Sequence, residues 1–204
     1  MKIVCIGRNY AEHAMELGND VPQSPVFFCK PDSAILPRSN PLYIPDWTND
    51  LHYEVELIIK IDRLGKNIES KFADRYYSTI GLGIDFTARD VQDELKKKGL
   101  PWEKAKAFDG SAVVGKDFIP ISELPDRTNI RFELRKNGEP VQQGNSADMI
   151  FNFEKIIESV SQYMTLKIGD FIFTGTPSGV GKVEIGDVLE GYLEGKKMFR
   201  VNIK

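Results

Sequence analysis

The amino-acid sequence predicts one β-rich α+β domain, residues 1–204, with few helices. Strand-like apolar runs recur along the chain, few segments have helical character, and the regular strand–helix alternation of a doubly wound fold is missing. No low-complexity linker divides the 204 residues. With 41% hydrophobic and 28% charged residues, the chain has enough apolar material for one sizeable core.

The charge balance and the short apolar runs argue against several classes of protein. A formal net charge of −3 and a pI near 5.5, without a clustered basic stripe, argue against binding to nucleic acid or to an anionic membrane. Residues 1–6 are too short for a secretory signal, and no apolar run reaches the length of a membrane span. We therefore expect a cytoplasmic protein.

Cys5 and Cys29 each lie in an apolar run. We expect buried free thiols in a reducing compartment, and a disulfide is the alternative. Two Cys and two His are too few for a convincing zinc cluster.

The first elements follow from apolar runs and stop signals. Residues 2–7 predict a strand ended by a glycine, and residues 9–17 predict a helix stopped by Gly18 and Asn19. A proline-rich stretch follows, which we expect to form extended segments and turns around a strand at 26–29.

Residues 51–61 predict a strand with two-residue alternation. One face carries Tyr53, Val55, Leu57 and Ile59, and the other carries Glu54, Glu56, Ile58 and Lys60. Residues 79–86 predict a glycine-containing strand, after which residues 87–90 resemble a capping box that opens a helix to about Lys98. The lysines at 96–98 and Gly99 suit the end of that helix.

The second half of the chain predicts mostly strands, with one helix near 150–163. The strand-like runs are at 112–115, 130–136, 170–174, 188–193 and 197–203. The triplet Ile-Gly-Asp occurs at 168–170 and 185–187, each time before an apolar run, and we interpret the two copies as paired turns in a sheet.

Three carboxylates are candidate metal ligands. Glu54 and Glu56, two apart on a strand, project to one face roughly 7 Å apart. A solvated strand face is the alternative, but Ile58 shares that face, and two half-buried carboxylates repel unless a cation neutralises them. Asp85 ends the next strand before a helix and supplies a third oxygen, although it alternatively only holds the turn. Such ligands suit Mg²⁺ or Mn²⁺, with Ca²⁺ as a substitute and zinc disfavoured.

His13 and Glu16 are three residues apart in the first helix and can hydrogen-bond on one face. A carboxylate partner raises the basicity of an imidazole, which then suits a general base, but an exposed His–Glu pair is the alternative. Lys106 lies among aromatic and small residues, which favours partial burial with a partner or a task. An ordinary surface lysine is the alternative there.

Arg89 and Gln92 are a second pair at helical spacing, just after Asp85. They are candidates for binding a substrate carboxylate, or else form a solvated helix face. Residues 175–181 predict a glycine-rich turn with free amides and hydroxyls. The turn lacks the Gly-Lys-Ser/Thr ending of a P-loop, so we expect it to receive a carboxylate instead of a nucleotide phosphate.

Seven stretches occur in one order along nearly the whole chain: CIGRNYAEH (5–13), FCKP (28–31), HYEVEL (52–57), DFTARDVQ (85–92), KGLPW (98–102), KAFD (106–109) and Gly-Thr-Pro (175–177). Together they resemble the fumarylacetoacetate hydrolase superfamily, and closely its short branch of acylpyruvases and oxaloacetate-processing enzymes. The resemblance implies a mixed β-roll or barrel with few short helices, usually found as a homodimer with Mg²⁺ or Mn²⁺ in its cleft.

The resemblance also implies roles for individual residues. The implied metal ligands are Glu54, Glu56 and Asp85. The implied catalytic residues are a water-activating dyad, His13 and Glu16, on a segment that orders as a lid, and Lys106, which stabilises an enolate or oxyanion. The positions that match substrate contacts are Arg89, Gln92 and Thr176. The chain lacks the N-terminal domain of longer fumarylacetoacetate hydrolases, which argues against transferring their particular substrate.

The predicted function is metal-dependent hydrolysis of the C–C bond of acylpyruvates through a pyruvate enolate, with decarboxylation or tautomerisation of oxaloacetate at the same site. The partner is therefore a small keto acid, without nucleic acid or membrane. The alternative reaction is isomerisation or hydration of 2-hydroxy-dienoates in aromatic catabolism. A non-catalytic metal-binding domain is disfavoured, because holding a metal needs neither the His13–Glu16 dyad nor Lys106.

Overall fold

Strands dominate the structure, as the recurring apolar runs predict. The computed structural model describes residues 1–16 and 21–204, with His13, Ala14 and Glu16 described at the backbone only. The strands are β1 (Lys2–Gly7), β2 (Val26–Pro31), β3 (Leu51–Tyr53), β4 (Val55–Ile61), β5 (Tyr77–Asp85), β6 (Thr87–Ala88), β7 (Ala112–Val114), β8 (Ile119–Pro120), β9 (Arg131–Lys136), β10 (Glu139–Asn145), β11 (Phe171–Phe173), β12 (Gly181–Lys182), β13 (Val188–Leu193) and β14 (Lys196–Asn202). The α-helices are α1 (Ala11–Glu16), α2 (Arg89–Lys98), α3 (Glu103–Lys106) and α4 (Phe153–Tyr163), and 3-10 turns lie at Asp32–Ala34, Ser70–Tyr76, Ile121–Glu123 and Ser146–Asp148.

The strands form three sheets. A seven-stranded sheet has the order β2-β1-β11-β4-β5-β7, with β8 also paired to β5, and it curls into a half-barrel. A four-stranded sheet has the order β10-β9-β13-β14, and the short strands β12-β3-β6 form the third. Among the pairs of named strands in the described residues, only β1–β11 is parallel, and two isolated bridges, Ile35 to Ala112 and Leu42 to Ile203, are parallel as well. The β-rich α+β class with a mixed, curled sheet is confirmed.

The predicted alternation of residues 51–61 positions both faces of β4, at the centre of the long sheet. Val55, Leu57 and Ile59 lie in the large apolar core, whereas Ile58 packs on the other side in a smaller cluster with Phe173. The strand is interrupted, however, because β3 ends at residue 53 and pairs with β6 and β12, whereas β4 pairs with β5 and β11. Residue 54 therefore lies where the chain passes from one sheet to another.

The capping box predicted at 87–90 is wrong. Thr87 is in β6, and its hydroxyl donates to the Asp85 carbonyl (3.4 Å), while Ala88 at the helix start makes no side-chain cap. The first turn of α2 is instead fixed by the Asp90 carboxylate, which accepts hydrogen bonds from the Thr48 hydroxyl (2.6 Å) and the residue 49 amide (2.9 Å). The helix end is confirmed, because Gly99 adopts φ 64° and its amide donates to the carbonyls of the last turn.

The other predicted elements agree with the structure to within a few residues. The helix predicted at 9–17 is α1, and its stop signal at Gly18 and Asn19 lies outside the described residues. The helix near 150–163 is α4, whose amide at residue 155 donates to the Asn152 side chain (2.9 Å). Strand β10 was not predicted, because Glu-Pro-Val-Gln-Gln-Gly-Asn has no apolar alternation. A usable signal was the turn before it, where Asn137 and Gly138 both have positive φ, as a two-residue hairpin requires.

Both Ile-Gly-Asp triplets form the same turn. The Asp170 amide donates to the Lys167 carbonyl and the Asp187 amide to the Glu184 carbonyl, each at 3.0 Å, with φ 89° and 98° at the central glycines. The turns lead into β11 and β13, which belong to different sheets, so the prediction of paired turns in one sheet is wrong.

Two further expectations concern the state of the cysteines and the presence of membrane-spanning helices. Cys5 is buried and free, and Cys29 is free but only half-buried, so the disulfide alternative is wrong. Within residues 1–16 and 21–204, none of the helices has the length and apolar character needed to cross a membrane. The cytoplasmic location stays a prediction.

Candidate active site

Three carboxylates from neighbouring strands meet in one buried place. Glu54 precedes β4, Glu56 is in β4, and Asp85 ends the antiparallel neighbour β5. One oxygen of each lies within 4.8 Å of the others, and the residues are 5%, 2% and 1% exposed. The Asp85 amide also donates to the Glu54 carbonyl (2.9 Å), which fixes the two strand ends together. This burial excludes the solvated strand face, and the role of the carboxylates as metal ligands stays a prediction.

Three buried cations surround these carboxylates. The Lys106 Nζ bridges Glu54 Oε2 (2.7 Å) and Asp85 Oδ2 (2.8 Å), and Arg89 pairs with Glu54 Oε1. The Lys30 Nζ contacts Asp85 Oδ1 at 2.7 Å. The burial of Lys106 and Arg89 excludes the surface-lysine and solvated-helix alternatives.

Lys30 was not predicted as a site residue, although it is 0% exposed. Its Nζ donates to the Ser111 hydroxyl (3.0 Å) and to the carbonyls of Lys106, Ser111 and Phe86. A lysine at the end of an apolar strand, directly before Pro31, was the available signal, since such a lysine is buried only with compensation.

Formal charges in the cluster balance, with three carboxylates against three cations, but they are unevenly distributed. Burial, then Asp85 and then Glu54, raise the pKa of Glu56 well above its usual range, against the opposing effects of the Gly175 amide and Lys106. Burial acts to lower the pKa of Lys106, but Asp85 and Glu54 outweigh it and raise that pKa above its usual value. Lys106 therefore holds its proton at neutral pH, whereas ionised Glu56 lacks compensation.

The donor set of this cluster fits a hard dication. Three carboxylate oxygens within reach of one another, with no His or Cys in that group, are ligands preferred by Mg²⁺ or Mn²⁺. A bound dication would also remove the electrostatic cost of ionising Glu56 between Glu54 and Asp85.

The glycine-rich turn closes one side of the site. Its first amide, Gly175 N, donates to Glu56 Oε2 (2.7 Å), so the carboxylate that this amide receives belongs to the protein itself. Thr176 follows and lines the same cavity as Glu54, Glu56 and Asp85.

Gln142, which was not predicted because β10 was missed, orients the hydroxyl of Thr176. The Gln142 Oε1 accepts a hydrogen bond from the Val55 amide (2.9 Å), so its amide nitrogen faces Thr176 Oγ1 (2.8 Å) and the Pro177 carbonyl (3.0 Å). Because Thr176 Oγ1 accepts from this amide, its own proton is available to a group in the cavity.

Helix α2 supplies the predicted substrate-contacting pair. Arg89 and Gln92 lie one turn apart, both are buried, and Arg89 Nη1 donates to Gln92 Oε1 (2.7 Å). Both line the cavity, as do Phe28 and Trp102, whose rings lie 6.1 Å apart. The Phe28 ring lies 5.1 Å from the Lys106 Nζ, so an aromatic wall covers the cationic side of the cluster.

The predicted dyad is only partly described. The backbone positions of His13 and Glu16 are both in α1, but their side chains lie outside the described residues. Helix α1 begins three residues after Arg8, which lines the cavity. The dyad assignment therefore stays a prediction.

Comparisons with known proteins agree on one family. A model described as the C-terminal domain of fumarylacetoacetate (FAA) hydrolase matches residues 2–203. The mitochondrial oxaloacetate tautomerase of Bos taurus is 44% identical over 193 residues, covering 95% of this chain and 87% of that protein. The oxaloacetate tautomerase of Escherichia coli (strain K12) is 42% identical over 198 residues, covering 97% and 90%. The crystal structure of fumarylpyruvate hydrolase from Pseudomonas aeruginosa, in complex with Mn²⁺ and pyruvate, has a TM-score of 0.93 at 35% identity, covering 100% of this chain and 89% of that one.

Proposed function

The chain belongs to the fumarylacetoacetate hydrolase family of enzymes, and on that premise we propose that it catalyses the keto–enol tautomerisation of oxaloacetate. The activity named for the bovine and bacterial relatives supports this reaction. The observation that carries the proposal is the meeting of three buried carboxylates with three buried cations beside Thr176. Hydrolysis of acylpyruvates is the second candidate, favoured by the solved fumarylpyruvate hydrolase with its bound pyruvate.

Glu54, Glu56 and Asp85 would hold Mg²⁺ or Mn²⁺, which when bound supplies Lewis-acid withdrawal of electron density from the oxygens of a keto acid. The remaining chemistry belongs to the surrounding side chains. Arg89 offers a cation and Thr176 a hydroxyl proton to a substrate carboxylate, and these contacts set the orientation of the keto acid.

Lys106 acts in this proposal as a fixed positive charge. Its ammonium lies 2.7 Å from Glu54 and 2.8 Å from Asp85, so it is placed to stabilise negative charge on an enolate oxygen beside the metal ligands. The wall of Phe28 and Trp102 limits water on that side, which strengthens the interaction. Tautomerisation then needs only one proton moved between C3 and the carbonyl oxygen, because the enolate is common to both forms.

Three substrates assayed with and without Mg²⁺ or Mn²⁺ test the proposal. We expect metal-dependent loss of the ultraviolet absorbance of enol-oxaloacetate, together with slower cleavage of acetylpyruvate. Dominant turnover of a 2-hydroxy-dienedioate would favour the isomerase alternative, and no metal-dependent turnover of any of the three would reject the proposal.

The implied homodimer belongs to the same proposal, and light scattering should give twice the chain mass of 23.1 kDa.

A variant at His13 separates the reactions that need activated water from those that do not. Hydrolysis consumes a water molecule, whereas oxaloacetate decarboxylation passes through the same enolate without one. We expect His13→Ala to lower acylpyruvate hydrolysis by about 10²–10⁴-fold, the usual contribution of a general base, while sparing much of the decarboxylation. Equal loss of both activities, measured as kcat/KM, would assign His13 another task.

A further inference from the structure

Two more cations face the candidate active site without a role in the cluster described above. Arg8 and Lys96 line the same cavity as the three carboxylates, and both are half-buried. They come from the loop after β1 and from the last turns of α2, so they approach the cavity from two separate elements.

Arg8 is presented by a strained but firmly held backbone. Its φ of 59° is in the left-handed region, which a residue with a long side chain rarely adopts. The next residue, Asn9, is fully buried, and its side chain bonds to the amide (2.7 Å) and carbonyl (3.0 Å) of Phe151 and to the Thr174 carbonyl (2.8 Å). Such strain persists only where the surroundings fix it, and it is concentrated at ligand-binding positions.

Lys96 lies on the same face of α2 as the substrate-contacting pair. The spacing from Arg89 to Gln92 to Lys96 is three and then four residues, which aligns the three side chains along one stripe. The Lys96 Nζ lies 5.6 Å from the Trp102 ring centre, and the nearest paired carboxylate, on Asp93, is 3.9 Å away. Burial and then Arg89 lower the pKa of Lys96, and Arg8 adds to that effect, so these cations are close enough to repel one another.

The charges around the cavity indicate which kind of ligand Arg8 and Lys96 would bind. The carboxylates and the buried cations already cancel, so a dication makes the cluster positive, and Arg8 with Lys96 adds two further positive charges. A keto acid with one carboxylate, bound at the cluster, leaves the outer pair without a negative partner from the ligand, whereas a second carboxylate supplies that partner and lowers the excess of positive charge. We propose that Arg8 and Lys96 form a subsite that binds the second carboxylate of a dicarboxylic keto acid such as oxaloacetate. This inference rests on the proposed function.

Binding of two unreactive keto acids tests this subsite apart from catalysis. Calorimetry with Mg²⁺ would compare 2-oxoglutarate, which has two carboxylates, with 2-oxobutyrate, which has one. We expect Arg8→Asn and Lys96→Gln each to weaken 2-oxoglutarate binding by about tenfold and to change 2-oxobutyrate binding little, since a charge-assisted contact is lost. Asparagine is chosen at position 8 because it tolerates the left-handed backbone.

Lys97→Gln is the matched control, because Lys97 is the exposed neighbour of Lys96 on the same helix. It should leave both affinities unchanged. Equal affinity of the wild-type protein for the two keto acids, or equal weakening of both in the Arg8 and Lys96 variants, would overturn the subsite. Failure of the proposed reaction is distinguishable, because it would leave this difference in binding intact while enol-oxaloacetate is not converted.

Discussion

At the scale of single residues, Asp85 and Glu56 carry the same charge in opposite surroundings. Asp85 contacts two buried lysines, Lys30 and Lys106, at 2.7 and 2.8 Å. Glu56 accepts a hydrogen bond from the neutral Gly175 amide and, among the described residues, none from a lysine. Burial raises its pKa most, and repulsion by Asp85 and Glu54 raises it further. One carboxylate therefore compensates cations, whereas the other is short of positive charge.

Neutral variants of these two residues should separate folding from metal binding. Glu56→Gln keeps an acceptor for the Gly175 amide and removes repulsion, so the metal-free protein should unfold at the same or a higher urea concentration. Asp85→Asn leaves buried Lys30 uncompensated and should lower the free energy of unfolding by about 3–5 kcal/mol. Both variants should lose stabilisation by Mn²⁺ in thermal unfolding. A Glu56→Gln protein that Mn²⁺ still stabilises would contradict the ligand assignment.

Gln142 provides a second prediction at this scale. Gln142→Glu keeps the acceptor for the Val55 amide but replaces the donor to Thr176, so the threonine proton turns towards the new carboxylate. The KM for oxaloacetate should rise about tenfold, the effect of one lost hydrogen bond to a charged group. A double-mutant cycle on the KM for oxaloacetate tests this coupling. If Gln142 acts through the threonine, Gln142→Glu should change the KM little further in a Thr176→Val background. Additive effects would show that Gln142 acts independently of the threonine.

At the scale of elements, the accuracy of sequence-based prediction follows the strength of local patterns. The alternation of residues 51–61 predicted which side chains of β4 lie in the large apolar core, because successive side chains of a strand point to opposite faces. β10 was missed because its buried residue, Gln142, is polar and gives no hydrophobic signal. The break of the strand at Glu54 was also missed, since pairing with two different sheets depends on distant segments.

The turn at 167–170 is an element whose contribution to stability can be measured. Asp170 accepts hydrogen bonds from the backbone amides of Lys167 (2.8 Å) and Lys2 (3.0 Å) and pairs with the Lys2 ammonium, which ties β1 to the start of β11. Asp170→Asn should lower the free energy of unfolding at pH 7 by about 1–3 kcal/mol, through lost charge-assisted hydrogen bonds. Exposed Asp62, changed to Asn, is the control and should show little effect.

The Asp170 contribution should depend on pH. Burial acts to raise its pKa, but the Lys2 and Lys167 hydrogen bonds outweigh burial and lower the pKa below its usual value. A carboxylate with a depressed folded-state pKa stabilises above its unfolded value of about 3.9 and loses that contribution as the pH falls through the folded-state value. The difference in free energy of unfolding between wild type and Asp170→Asn, measured with urea, should therefore become smaller below about pH 4. A constant difference would contradict the ionic origin.

At the scale of the whole molecule, the candidate site combines segments from almost the entire chain. The sequence identified Glu54, Glu56 and Asp85 as candidate metal ligands from their local settings, and the family resemblance implied the same role for the group. Lys30 and Gln142 were missed because each is defined by partners at least 34 residues away. Long-range partners leave no periodic signal, so spacing rules alone do not find them.

One apolar core connects the three sheets, and this supports the prediction of a single domain. Its members include Val4 of β1, Tyr53 of β3, Leu134 of β9, Ile157 of α4 and Leu189 of β13. We therefore expect urea to unfold the chain in one transition that coincides when followed by tryptophan fluorescence and by circular dichroism. Two separated transitions would divide the chain into independent folding units.

The position of β11 also determines when the site can be completed during synthesis. This three-residue strand lies between β1 and β4, with Phe171 opposite both Ile3 and Lys60. A nascent chain that has left the ribosome only as far as residue 170 contains the β1–β2 pair and the β4–β5 pair but lacks the strand that hydrogen-bonds one pair to the other. Joining them requires closure of a loop across most of the polypeptide, which is slow. The enzyme should consequently gain its active form only after β11 has been translated.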